Sequence, residues 1–350
     1  MLGMEAPQYK VGVIYEPSDH LREQAEGLGV DSAALMRDYL SISIPKQESG
    51  ESILPSAEQG SGGLIVAVGD MANNIIGTSV EDAELARKLG LPEGYKFNGG
   101  LFASHSLRRW MAYQRDTGVQ LIEQANQHLR GLYKKFGMES RVFTDAAARF
   151  TGCLAHMHSG PDTDGHTIFT AVGDVKVWAN GEHVAGVTEK EIDALKEKLV
   201  NELTGIVWSS PVGDVEHTIR KFADRVGLDN ATIEEFKGRI FSARELPPAE
   251  QGRQVIYRPV DDLITPWQIR TLQNPTQDSD STLYYGAVDG TSTPQQFIQV
   301  RAIPTGDIDT VVIATDGLKP TDESVRSLDD LTPTNVEYGE QTAVALRRVR

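Results

Sequence analysis

The sequence is short of cysteine: Cys153 is the only one in 350 residues. An internal disulfide is therefore excluded, and so is a structural zinc site built on thiolates. Cys153 itself, between Gly152 and Leu154, reads as a small buried hydrophobe. His156 stands three positions on, and on a strand those two side chains would face opposite sides. Long apolar runs are also missing. No window approaches 18 consecutive apolar residues, so a membrane span is not expected. Met1 to Pro7 has neither the basic start nor the apolar centre of a signal peptide, and a cytoplasmic protein is the expectation. Positive charge is scarce as well: 34 basic against 50 acidic residues leave a net charge of −16. Such a surface repels phosphate backbones, which argues against nucleic acid as a partner. It would also oppose an anionic substrate unless cations were held at the site.

Nucleotide and hydrolase signatures are lacking too. Gly60-Ser61-Gly62-Gly63 is not followed by Gly-Lys-Ser/Thr, so it is no phosphate loop, and the dinucleotide-binding glycine fingerprint is absent. There is no Gly-X-Ser-X-Gly elbow. The eight histidines show no His-Glu-X-X-His spacing, and His156-Met157-His158 straddles an expected strand end.

What is present is a set of apolar, β-branched runs that end in Asp. Val311-Val312-Ile313-Ala314-Thr315 is followed by Asp316-Gly317, and Leu64-Ile65-Val66-Ala67-Val68-Gly69 by Asp70. Each describes a buried strand delivering a carboxylate to a sheet end, with a tight turn after Asp316. Asp174 follows a third such run, Ala171-Val172-Gly173. Hard carboxylate oxygens without clustered histidine or cysteine suit Mg²⁺ or Mn²⁺ better than zinc.

The rest of the chain supplies strands and a few helices. Strands are expected at Lys10–Tyr15, within Ser32–Ile44, at Ala148–Met157, His166–Trp178, Gln296–Ala302, Thr310–Ala314 and Thr342–Val349. Helical spacing of apolar residues runs from Ala103 to Tyr113 and from Gly118 to Phe136. Hairpin turns are expected at Ser159–Gly165 and Asn180-Gly181, and Thr188-Glu189-Lys190-Glu191 is a capping box. Val288-Asp289-Gly290-Thr291 is similar to part of the aspartyl-phosphate hydrolase motif, but Ala287 holds the nucleophile's place, and a hairpin turn is expected there. Strands, helices, strands, helices, strands is an α+β order with antiparallel sheets. Residues 211–280 interrupt it and read as an insertion or flap on a single domain spanning 1–350.

In order and spacing these motifs resemble the metal-dependent protein phosphatases of the 2C type. The resemblance covers residues 10–210 and 282–350. Val66 to Met71 is similar to the family's Asp-Gly metal strand, and Ala148 to Ala155 to its Gly-Thr-Thr strand. Ala103-Ser104 and Ala125-Asn126 resemble paired residues on its two helices. Ala171 to Gly181 resembles its Val-Gly-Asp-Ser-Arg strand, and Ala314 to Leu318 its Ser-Asp-Gly motif.

The resemblance implies an αββα sandwich of two antiparallel sheets flanked by helices, and hydrolysis of phosphoserine and phosphothreonine on a phosphoprotein substrate. It also implies two Mg²⁺ or Mn²⁺ ions. Asp70 would bridge them, the Met71 carbonyl would complete one shell, Asp316 would hold the second ion, and Asp31 would act through a water. Asp174 would belong to a structural strand. The sequence departs from the family in several places. Gly29-Val30 replaces Asn-Glu before Asp31, and Glu26 stands about where a phosphate-binding Arg is usual. Gly339-Glu340-Gln341-Thr342 lacks the family's last Asp, leaving Glu340 as the nearest replacement ligand. The alternative reading is a catalytically inactive protein that binds a regulatory partner through the same fold.

Overall fold

A computed structural model describes residues 9–16, 40–43, 64–71, 107, 110–111, 114–139, 152–188, 286–334 and 341–349, with isolated helical positions at 22, 26 and between 190 and 221. The chain separates into two compact units: Met1–Val187 with Ala287–Arg350, and Thr188–Gly286. The stretch 211–280 falls inside the second unit. There the expected capping box is formed, with the Thr188 amide donating to Glu191 Oε2 at 2.8 Å and the Glu191 amide to Thr188 Oγ1 at 3.4 Å.

The first unit is an α+β fold carrying two five-stranded antiparallel sheets. The first sheet has the order β1 (Tyr9–Glu16), β12 (Gln341–Arg348), β9 (Thr310–Ala314), β6 (Lys176–Ala179), β7 (Glu182–Ala185). The second has the order β2 (Leu40–Ser43), β3 (Leu64–Met71), β4 (Gly152–Ser159), β5 (His166–Val172), β8 (Ile298–Pro304). A small ribbon of β10 (Leu318–Pro320) and β11 (Leu331–Pro333) completes the set. The middle strands are apolar on both faces because both are covered. Val311, Val312, Ile313 and Ala314 of β9 are fully buried, as are Val177, Ala343 and Val344 around them.

Helix α1 spans Gly118–Phe136, the bounds its apolar spacing predicts. Its buried stripe is Leu121, Ile122, Ala125, Leu129 and Tyr133, residues three or four apart. The helix starts on the second sheet, where the Gly118 amide donates to Thr170 Oγ1 at 2.8 Å. On the first sheet, Trp178, Val312, Ala314 and Ala343 pack against Leu318, Val325 and Leu331 from the ribbon and the loop joining its strands. The Asn180-Gly181 turn between β6 and β7 has both residues at positive φ, 53° and 92°, the hairpin geometry this dipeptide favours.

Two local expectations are corrected. His166–Trp178 is not one strand: β5 ends at Val172 and β6 begins at Lys176 in the other sheet. Gly173 sits between them at φ 79°, a left-handed conformation that ends strand geometry and turns the chain across. Val288–Thr291 is not a hairpin between neighbouring strands either. Val288 bridges to Gly152, and the loop beyond it docks on α1. Among the described residues no helix is long and apolar enough to cross a membrane.

Candidate metal centre at the sheet ends

Three strand ends meet in one region. The β3–β4 register sets Asp70 opposite Cys153 and Met71 opposite Gly152. Gly152 is tied in turn to Val288 by two backbone hydrogen bonds of 3.1 and 2.9 Å. Gly173, just past β5, lies so close to Cys153 that a Cβ on it would fall 2.0 Å from Sγ and 2.6 Å from the Cys153 Cβ. Its carbonyl accepts from the Val187 amide at 2.8 Å, which pins the turn from the other side. Cys153 is buried and packs against this turn, as its sequence context implies.

The pinned turn presents Asp174, only 6% exposed. Burial raises its pKa from 3.8 to about 6, and the neighbouring Asp316 carboxylate adds to the rise. A hydrogen bond from the Cys153 thiol and the charge of Lys176 act in the opposite direction. Lys176 is itself 2% exposed, an ammonium buried at the start of β6. The Asp174–Asp316 pair comes from the β6–β9 pairing, in which Lys176 faces Ala314 and both strands end beside each other.

Asp316 follows β9 in a closed turn. The Leu318 amide donates to the Thr315 carbonyl at 3.2 Å, Thr334 Oγ1 donates to the Asp316 carbonyl at 3.1 Å, and the Thr334 amide donates to the Gly317 carbonyl at 3.0 Å. The turn is thus braced by the residue that follows β11.

Of the residues singled out by sequence, the structure sets Asp316 near Asp174, and Asp70 in register with Cys153, on which Gly173 packs. It adds Asp174, which lies in a turn beside Asp316 and not inside a strand. Asp31 and Glu340 lie outside the described residues. Lys176 was missed by sequence reasoning, although a lone charge in Val175-Lys176-Val177 was a visible signal. Among the described residues no three His, Cys, Asp or Glu side chains cluster as a complete ligand set. The donor chemistry nonetheless fits a hard divalent cation. Two carboxylates are held in mutual repulsion, and a cation beside them would remove the penalty.

The histidine pair is engaged elsewhere. Nδ1 of His158 lies 2.9 Å from the Arg115 carbonyl and Nε2 lies 3.2 Å from Asp162. His156 is fully buried, and desolvation, with His158 beside it, lowers its pKa to about 3. It is a neutral core residue.

A second anchor supports the β4 end of this region. Asn126 on α1 donates Nδ2 to Thr293 Oγ1 at 2.9 Å. Its Oδ1 accepts from the amides of Asp289 and Gly290 at 3.1 and 3.0 Å. Tyr133 Oη donates to the Asp289 carbonyl at 2.9 Å, and Arg130 Nε to the Gly290 carbonyl at 2.6 Å. Asp289 is spent inside this loop, its Oδ1 accepting from the Thr291 amide at 2.7 Å.

No family model matches the chain, and no curated protein does. Solved structures to which it is similar include a bacterial serine phosphatase and a serine/threonine phosphatase. One, described as a bacterial serine phosphatase, is 8% identical over 98% of this chain and 98% of its own, with a TM-score of 0.40. Another, the serine/threonine phosphatase Stp1 from Staphylococcus aureus, is 8% identical over 100% of both chains, also with a TM-score of 0.40.

Proposed function

We propose that this chain is a metal-dependent phosphatase acting on phosphoserine and phosphothreonine in proteins, with Mg²⁺ or Mn²⁺ as its cofactor. One observation supports the reading: Asp174 and Asp316 lie beside each other, and Gly173, next to Asp174, packs on Cys153, the register partner of Asp70 in β3. Charges of one sign are costly to gather in a partly buried place, and a bound cation gives that cost a use. When bound, a pair of such ions supplies a hydroxide at neutral pH and offsets phosphoryl charge.

In this reading Asp70 and Asp316 hold the ions, the Met71 carbonyl contributes an oxygen, and Asp31 and Glu340 complete the set. Asp174 adds negative charge behind Asp316, and Lys176 limits how much of that charge reaches the site. The net charge of −16 opposes an anionic phosphoprotein overall, and cations held at the site would offset that opposition there.

A second reading, a phosphatase-like protein that binds a regulatory partner without catalysis, is favoured by the absence of an Asp in Gly339-Glu340-Gln341-Thr342 and by Gly29-Val30 before Asp31. The two are separated by aryl phosphate hydrolysis with and without Mn²⁺, repeated on Asp70→Ala and Asp316→Ala. Mn²⁺-dependent turnover lost in both variants supports the enzyme. Turnover that survives both substitutions sinks the two-ion mechanism. No turnover together with no calorimetric uptake of Mn²⁺ leaves the binding protein.

A further inference from the structure

The end of β9 departs from an ordinary ladder in a specific way. The β9–β12 register closes at Ala314 opposite Ala343. One step further, the Thr315 amide donates to the Thr342 carbonyl at 3.0 Å. In a regular antiparallel pair the Thr342 amide would return the bond to the Thr315 carbonyl. It does not. It donates to the Thr315 side-chain oxygen at 3.1 Å. The Thr315 carbonyl has been withdrawn to accept from the Leu318 amide at 3.2 Å, closing the four-residue turn with Asp316 and Gly317 at its centre.

We propose that the Thr315 hydroxyl is a positioning group for Asp316: it stands in for its own carbonyl in the ladder, so that the carbonyl is free to close the turn that presents the Asp316 carboxylate. Thr315 and Thr342 are 1% and 0% exposed, so water cannot satisfy the Thr342 amide if the hydroxyl is removed. The acceptor that ladder geometry then offers that amide is the Thr315 carbonyl opposite it. Recovering it opens the turn and lets Asp316 swing. A valine at this position keeps the shape and loses the acceptor, whereas a serine keeps the acceptor and loses only a methyl group. The role as a device for metal binding rests on the reading of Asp316 given above, but the hydrogen-bond exchange itself does not.

The test compares Thr315→Val and Thr315→Ser in the full chain by amide hydrogen exchange at Leu318 and by Mn²⁺ calorimetry. In Thr315→Val, Leu318 protection and Mn²⁺ affinity should each fall by about tenfold or more, the scale of one lost buried hydrogen bond, while Thr315→Ser stays within about twofold on both. Should the valine variant not fold, Thr315→Ala also lacks the acceptor and carries the same expectation without the added bulk. Thr342→Val supplies the contrast. The Thr342 hydroxyl is buried and has no partner among the described residues, so its loss should leave Leu318 protection at or above the wild-type level. Leu318 protection unchanged in Thr315→Val, or lost equally in Thr315→Ser, overturns the proposal. If the wild type takes up no Mn²⁺, the phosphatase reading falls alone and the exchange data still decide the clamp.

Discussion

Replacing Gly173 by alanine tests the geometry that delivers Asp174. Two costs arise together. A residue with a Cβ at φ 79° is in the left-handed region, at roughly 1–2 kcal/mol. The Cβ would also lie 2.0 Å from Cys153 Sγ, 2.6 Å from its Cβ and 3.2 Å from its Cα. The thiol can rotate away, but the β4 backbone cannot, and the Val187 amide holds the turn from behind at 2.8 Å. Overpacking of that kind adds about 1–3 kcal/mol. Gly173→Ala should therefore lower the unfolding free energy by about 2–5 kcal/mol, read from urea denaturation at unchanged m. The two costs separate in a double-mutant cycle. In a Cys153→Gly background the Sγ and Cβ contacts vanish and only the 3.2 Å approach to the Cα remains, so Gly173→Ala should cost little beyond its conformational part, leaving a coupling of about 1–3 kcal/mol. A cost under about 1 kcal/mol, or the same cost in both backgrounds, would refute the packing argument.

Two further outcomes follow from the same region. Asp174, raised from 3.8 to about 6, holds its proton more tightly folded than unfolded, so stability is highest below about 4 and is lost as pH rises toward about 6. At ~1.4 kcal/mol per pH unit that loss is about 3 kcal/mol. In metal-free buffer the wild type should lose about that much more than Asp174→Asn between pH 4 and 7, and a constant difference between the two curves would disprove the assignment. Asn126→Leu leaves the buried Asp289 and Gly290 amides without their acceptor. At ~1–3 kcal/mol for each orphaned group, denaturation should show a loss of about 2–6 kcal/mol, and a loss under about 1 kcal/mol would mean that the loop is held by Tyr133 and Arg130 instead.

Much of the fold was legible because the signals were local. The apolar period of α1 marks Gly118–Phe136, and Thr310–Ala314 is a strand with apolar residues on both faces. Asn180-Gly181 names its own turn, and Thr188 to Glu191 its own cap. What stayed hidden depended on contacts distant in sequence. Nothing between Thr170 and Trp178 announces a change of sheet, since Val172 and Val175 continue the apolar run across Gly173. Asp174 looks like a strand residue until Gly173 is seen against Cys153, 20 positions earlier. Its meeting with Asp316 depends on β6 pairing with β9. The Asp289 loop reads as a hairpin because the partners that hold it, Asn126 and Tyr133, are on a helix more than 150 residues upstream.

The pairing of β1 with β12 has a consequence for how the molecule is made. All eight residues of β1, Tyr9–Glu16, face residues Arg348 to Gln341, and the other side of β12 pairs with β9. During synthesis β1 precedes its partner β12 by all the residues between 16 and 341, and it cannot be seated until β12 has been made. The first sheet is thus completed only once β12, the second strand in its order, is in place. Until then β1 waits with an open edge and β9 has only β6 beside it, which makes the interval before residue 341 the period of greatest exposure to mispairing.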